Sequence, residues 1–395
     1  MSHHLTRRTM LSAGSAAVCG LTGCITDLNP GSGDTESGIE KEQNWPMHRY
    51  NPANTGVNTD ARAPESEVEL SWTYETDERT GVPAVVSDTV YLKGSNQIFA
   101  VDLTDETERW SVEVDSVGLR SVAVIDDTVY VPTFDGILSL NANTGSENWS
   151  TQEVGATSPL IIDGTVYAGS SSLFAFDAAT GDRRWEMPVE AQATISTTPA
   201  FADGSLFVGT AEGGDNGAGS IRAIDTETGD EQWRVQTGPI RFSSPGIRNE
   251  TVIVPDNKGT IYALATKDGT KRWSVEISES LTCPPTISDE TVYIGSQDGT
   301  LYALNLETGD QRWSSDGLGF VNAGATVADG TVYIGTPNGL FAFNNSSGEE
   351  RWSIQTDMNL SGVVVADGAI YAGGYKNTQE TPTREYTGQL HVFTT

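Results

Sequence analysis

The chain has 395 residues, with 54 Asp and Glu against 23 Lys and Arg and a formal net charge of −31. So few bases argue against a basic patch for nucleic-acid phosphates or anionic lipid, and 4 His with 3 Cys leave little for metal or thiol chemistry. The 42 Gly and 9 Trp point instead to many short strands and turns.

The first elements are addresses. Residues 1–23 combine a basic start, a short weakly apolar stretch and small residues, the pattern of a secretory signal peptide too short to span a membrane. Arg7 and Arg8, followed by Thr9, Met10 and Leu11, resemble a twin-arginine export signal. Leu21-Thr22-Gly23-Cys24 resembles a lipobox, which implies a diacylated Cys24 and an anchor on the outer face of the cytoplasmic membrane. Residues 24–44 are polar and rich in Gly, Ser and acids, as in a flexible tether. Cys19 leaves with the signal and Cys24 takes lipid, so Cys283 stands alone and no intramolecular disulfide is expected.

Residues 45–67 form a leader before a repeat that fills residues 68–395. Trp72, Trp110, Trp149, Trp185, Trp233, Trp273, Trp313 and Trp352 recur at spacings of 36 to 48 residues, the range of propeller blades. Read backwards from each Trp, the segments AFDAATGDRRW (175–185) and AIDTETGDEQW (223–233) exemplify the consensus A-x-D/N-x-x-T-G-x-x-x-W. An alternating block such as DGTVYAGS (163–170) or DGTVYIGT (329–336) comes before each segment, and a short apolar run precedes that. Each unit therefore predicts an inner strand, an Asp-Gly turn, a second strand, a loop, a third strand, a Thr-Gly turn and an outer strand carrying Trp. The indole N–H needs an acceptor, and a radial array supplies one on the adjacent blade.

The last unit, GAIYAGG (368–374) with GQLHVFTT (388–395), has no Trp, whereas Trp72 has no block before it. These parts are complementary. The expected fold is an all-β, eight-bladed propeller of four-stranded antiparallel blades, closed by the strand around Trp72 completing the C-terminal blade. Two places depart from the repeat, the insertions at 211–219 and 375–388, both between second and third strands.

The repeated motif resembles the tryptophan-docking motif of the PQQ-like (pyrroloquinoline-quinone-like) propeller superfamily, and NWPMHRYNPANTGVN (44–58) resembles that family's leader. The resemblance implies one of two functional classes. Quinoprotein dehydrogenases hold PQQ on the axis over a Trp, with a Ca²⁺ bound by acidic and Asn side chains, an Asp base and a pair of adjacent Cys. Non-catalytic members, such as the outer-membrane barrel-assembly lipoprotein, use the same blades as a scaffold. This chain has no Cys-Cys pair, its blades are near minimal length, and the repeat Trp are explained by packing. No His cluster or alternating acid loop suggests a metal.

The sequence reading is therefore a non-catalytic, lipid-anchored scaffold with no cofactor and no catalytic or metal residues. It would bind unknown protein partners at the cell surface, with the membrane reached through Cys24 and no nucleic acid involved. A small-molecule or glycan-binding propeller and a PQQ/Ca-dependent quinoprotein dehydrogenase stand as alternatives. Scarce Lys, acids dispersed over turns and the export signal resemble a halophilic archaeal protein.

Overall fold

Repeated turn chemistry sets the local structure. The computed structural model describes residues 44–395 except 60, 65, 116–117, 153–156, 214–216, 278–279 and 378–385; Arg7, Arg8, Cys24 and most of the tether lie outside the described residues. At the first turn of each unit the chain enters the left-handed region, as at Asp163 (φ 45°) with Gly164 (φ 69°) and Asp329 (φ 43°) with Gly330 (φ 67°). Two successive residues of positive φ match the right-handed twist of the flanking strands and hold a two-residue hairpin. At the second turn, Asp177 Oδ1 accepts the N–H groups of Ala179 and Thr180 at 3.0 and 3.1 Å, and Asn305 does the same for Glu307 and Thr308. The acid or amide of the motif thus folds its own turn.

Among the described residues these units form eight antiparallel sheets. Blade 1 comprises Ala84–Val86, Thr89–Lys93, Gln97–Asp102 and Glu108–Glu113, paired in that order. Blade 8 comprises Asn359–Ala366, Ala369–Asn377 and Tyr386–Thr394, and its outer strand is Glu69–Thr76 from the opposite end of the domain. Trp72 pairs with Val392 and Tyr74 with Leu390. The expected closure is present, and it covers an edge that would otherwise be left unpaired.

The apolar core lies between blades. One cluster joins Tyr91 and Trp110 of blade 1 to Val124, Val129 and Leu140 of blade 2. Six of the repeat tryptophans cross such a wall. Trp110 Nε1 donates to Ala142 O, Trp149 to Ala178 O, Trp185 to Thr226 O, Trp233 to Thr266 O, Trp273 to Leu306 O and Trp313 to Asn345 O, at 2.8 to 3.1 Å. Tyr293 of the same blade as Trp313 donates to the same Asn345 carbonyl at 2.9 Å, and its ring lies 5.6 Å from the indole. Trp72 and Trp352 flank the closure, where the Thr-Gly turn is lost, and make no such bond among the described residues.

The two insertions fall between second and third strands, and residues 214–216 and 378–385 of them lie outside the described residues; their described parts extend the hairpin strands. In blade 4 the second and third strands run to Ser205–Glu212 and Ala218–Asp225, and in blade 8 Lys376 and Tyr386 are in strands. The long second strand of blade 4 exposes more edge than one inner strand covers. Ala200–Ala202 pairs with one end and an additional strand, Ala193–Ile195, with the other.

The leader follows a path that positions the site. Trp45 bridges Val85 of blade 1. Val124 N of blade 2 donates to Pro46 O, Phe201 of blade 4 to Pro52 O, Ile247 of blade 5 to Ala53 O, Ile287 of blade 6 to Thr55 O and Val327 of blade 7 to Gly56 O. Asn58 Nδ2 then reaches Val365 O of blade 8. The leader therefore circles the axis at the level of the inner strands, bonding blades 1, 2, 4, 5, 6, 7 and 8 in that order.

Candidate functional site

Because the apolar core sits between blades and the leader occupies the axis only at inner-strand level, a cavity of ≈340 Å³ remains above it. Its floor comes from Trp45, His48 and Arg49. Its wall comes from residues just before the inner strands, including Arg120, Ser158, Thr198, Ser244 and Asn322. These positions converge because every blade enters its inner strand at the same height.

Arg49 is buried and embedded. Its Nη1 donates to Ala325 O at 2.8 Å, and its Nη2 to Pro285 O at 3.2 Å and to the Thr286 hydroxyl. Its guanidinium fills the spaces beside Gly56 and Gly324, where an added Cβ would collide with it. Nε has no partner. Arg49 itself adopts φ 58° and Tyr50 φ 78°, a strained pair of non-Gly residues held by the surrounding ring. Arg120 donates through Nη1 to Ser196 O at 2.9 Å and lies 5.3 Å from the centroid of Phe242, whose own φ is 64°.

Electrostatics follow from burial. Arg49 is lowered to about 10 chiefly by burial, with an opposing effect of Cys283, and Arg120 is lowered by burial. At neutral pH Arg49 remains charged. His48 is pushed down to about 3, first by burial and then by the charges of Arg49 and Arg120, so its imidazole is neutral and its buried Nε2 has no partner. No Asp or Glu is among the described residues lining the cavity. The hydroxyls are organised: Ser158 Oγ accepts Ser121 N–H and Ser244 Oγ accepts Thr198 N–H, each at 2.9 Å. Cys283 lies near this centre but is buried, donates to Gly295 O and is pushed up to about 11, which makes it an inert thiol.

The repeat tryptophans named from sequence are therefore in the blade walls and not at the cavity, and the floor Trp is Trp45. Arg49 and Arg120 were missed. One signal for the wall was present in the hydroxyl residue before a proline at Ser158-Pro159, Thr198-Pro199 and Ser244-Pro245.

Fold and cavity together define a propeller with an axial, cation-lined pocket. The family model described as outer membrane protein assembly factor BamB matches residues 54–216 and 217–389, so the chain belongs to that PQQ-like repeat family. A curated relative, quinohemoprotein alcohol dehydrogenase ADH-IIG of Pseudomonas putida, is 24% identical over 224 residues, covering 54% of this chain and 26% of its own length. Among solved structures, a europium-containing methanol dehydrogenase superposes with a TM-score of 0.76 at 17% identity, covering 89% of this chain and 98% of that one. BamB from Moraxella catarrhalis superposes at 0.65 with 18% identity, covering 83% and 100%. These structural likenesses establish the fold. The expectation of a non-catalytic scaffold, and of no enzyme, is corrected by the curated relative, a quinohemoprotein alcohol dehydrogenase of which this chain spans about a quarter of the length; it favours the quinoprotein alternative. The scaffold expectation rested on minimal blades and the missing Cys-Cys pair, whereas the leader and the inner-strand ends line an axial pocket without long loops.

Proposed function

We propose that this propeller is an oxidoreductase of the quinoprotein type that takes PQQ into its axial pocket. The observation that carries this reading is the pairing of Arg49 and Arg120 on a cavity with no carboxylate among its described lining residues, in a chain of net charge −31. PQQ is a flat quinone bearing carboxylates, and a guanidinium is the bidentate partner of a carboxylate. The volume lies at the lower end of the roughly 300–1,000 Å³ of small-ligand sites. Bound PQQ would supply a two-electron acceptor.

This chain's own residues bind and orient the acid groups. Arg49 and Arg120 supply the charge, Ser158, Thr198, Ser244 and Asn322 add neutral polar groups, and the leader closes the floor. The donor set suits the quinone and not the family's Ca²⁺, which takes about six to eight oxygens, usually with carboxylates among them. Among the described residues the lining offers Asn322 and hydroxyls without an acid. Those residues likewise include no carboxylate to take a proton from an alcohol, and His48 is too weakly basic to replace one, so the proton of the alcohol would pass to solvent.

Reconstitution tests the reading. Purified protein mixed with PQQ, with and without Ca²⁺, is followed by thermal shift and by alcohol-dependent reduction of a dye. A raised Tm with dye reduction supports it; an unchanged Tm at saturating PQQ overturns it. Export through Arg7 and Arg8 and lipidation of Cys24 would hold the protein at the outer face of the cytoplasmic membrane. A Cys24→Ala chain that still fractionates with membranes would overturn the anchor.

A further inference from the structure

We infer that the axial pocket binds a polycarboxylate directly on the Arg120 and Arg49 guanidinium groups, with no divalent cation between ligand and protein. This rests on the quinone reading for its ligand class and departs from the bound Ca²⁺ that the resemblance implied.

Three observations carry it. First, charge is distributed against expectation. Carboxylates are the abundant partners in this chain, and Arg109, Arg184 and Arg234 meet them. Arg49 and Arg120 meet backbone carbonyls, a hydroxyl and an aromatic ring instead. A buried cation without a counter-charge is costly, and an anion in the cavity would supply the missing charge.

Second, the Arg49 guanidinium is fixed before any ligand arrives. Its bonds reach blade 6 at Pro285 and Thr286 and blade 7 at Ala325, and its space is cleared by two glycines, Gly56 and Gly324. A preorganised donor lowers the ordering cost of binding. Third, the wall carries the opposite complement to a cation site. No Asp or Glu lines it among the described residues, and the polar groups there are Asn322, hydroxyls and the neutral His48. A divalent cation added to two arginines would face repulsion with no acid to offset it, whereas a polycarboxylate meets attraction on both.

The experiment compares PQQ with citrate, a polycarboxylate without a quinone, by calorimetry and thermal shift, each in EDTA and in CaCl₂. Both ligands are expected to bind in EDTA, with calcium adding no affinity. Arg120→Ala is expected to weaken both by roughly tenfold to a hundredfold, the range of a charge-assisted hydrogen bond. Arg120→Lys should recover part of the loss. Circular dichroism confirms folding, and Arg120 is the chosen variant because Arg49 also ties the leader to two blades. PQQ binding only with calcium would overturn the inference and leave the quinone reading standing. Citrate binding without PQQ binding would support direct anion capture and overturn the quinone reading. Binding of neither ligand, or an Arg120→Ala variant that binds as tightly as wild type, would overturn the inference.

Discussion

Trp185 of blade 3 lies flat against Gly229 of blade 4, so close that a Cβ at Gly229 would stand 2.9 Å from the indole ring. The same indole donates to Thr226 O at 2.9 Å. Gly229 therefore answers two demands, a φ of 75° and the absence of a side chain beneath the ring. Gly204 has a similar φ of 74° but nothing within 4 Å of an added Cβ. Gly204→Ala should thus cost only the left-handed strain, roughly 1–2 kcal/mol, while Gly229→Ala adds overpacking of roughly 1–3 kcal/mol. Equilibrium denaturation of the two variants separates the terms, and equal losses would mean that the tryptophan contact is not tight.

Closure makes a separate prediction. Residues 69–76 supply the outer strand of blade 8 from the start of the domain. Replacing them with a Gly-Ser linker of equal length keeps the leader attached but uncovers the Tyr386–Thr394 edge. The Tm should fall sharply and the protein should associate with rising concentration, as bare edges do. Light scattering and thermal melts check both, and an unchanged Tm would refute the closure.

These devices explain why the fold was legible. The Gly of Thr-Gly, the acid three residues before the Thr and the Trp recur because each blade repeats one contact with its neighbour, and a local pattern recorded that contact directly. The site was not legible in the same way. Arg49 reaches the cavity only because the leader circles the axis, and its partners lie 236 to 276 residues away. Arg120 occupies a position that the repeat does not share. The functional expectation failed for the same reason, since it searched for long loops and adjacent cysteines while the pocket is made from the leader and the mouths of the inner strands.

Burial of His48 predicts a pH dependence. Its folded pKa is about 3, below the ordinary 6.5, so the folded state favours the neutral ring. Between those values the unfolded chain binds more protons. The contribution is complete above 6.5 and is lost as pH falls toward 3. From pH 7 to pH 5 wild type should lose up to about 2 kcal/mol more than a His48→Gln variant. Arg49 and Arg120 face the ring and stay charged throughout that range, so they do not reverse the sign. Denaturant titrations at the two pH values measure the difference, and parallel losses in both proteins would sink the assignment.

Asn58 joins the two ends of the leader. It is fully buried; Nδ2 donates to Asn44 O at 3.3 Å and to Val365 O at 3.1 Å, and Oδ1 accepts Ala61 N–H at 3.0 Å. One side chain thus ties the start of the circuit, its last turn and blade 8. Asn58→Ala strands those groups without water, at roughly 1–3 kcal/mol for each buried group left unsatisfied. Asn51 gives the contrast, because its amide bonds only Thr55 within the same turn and is partly exposed. Asn51→Ala should cost less than about 1.5 kcal/mol. If the leader pins the ring of blades, Asn58→Ala should also weaken binding in the axial pocket, since Arg49 is carried on the same segment. Calorimetry with citrate beside a denaturation curve reads both effects, and a destabilised variant that binds with unchanged affinity would show that the floor of the pocket stands independently of the circuit.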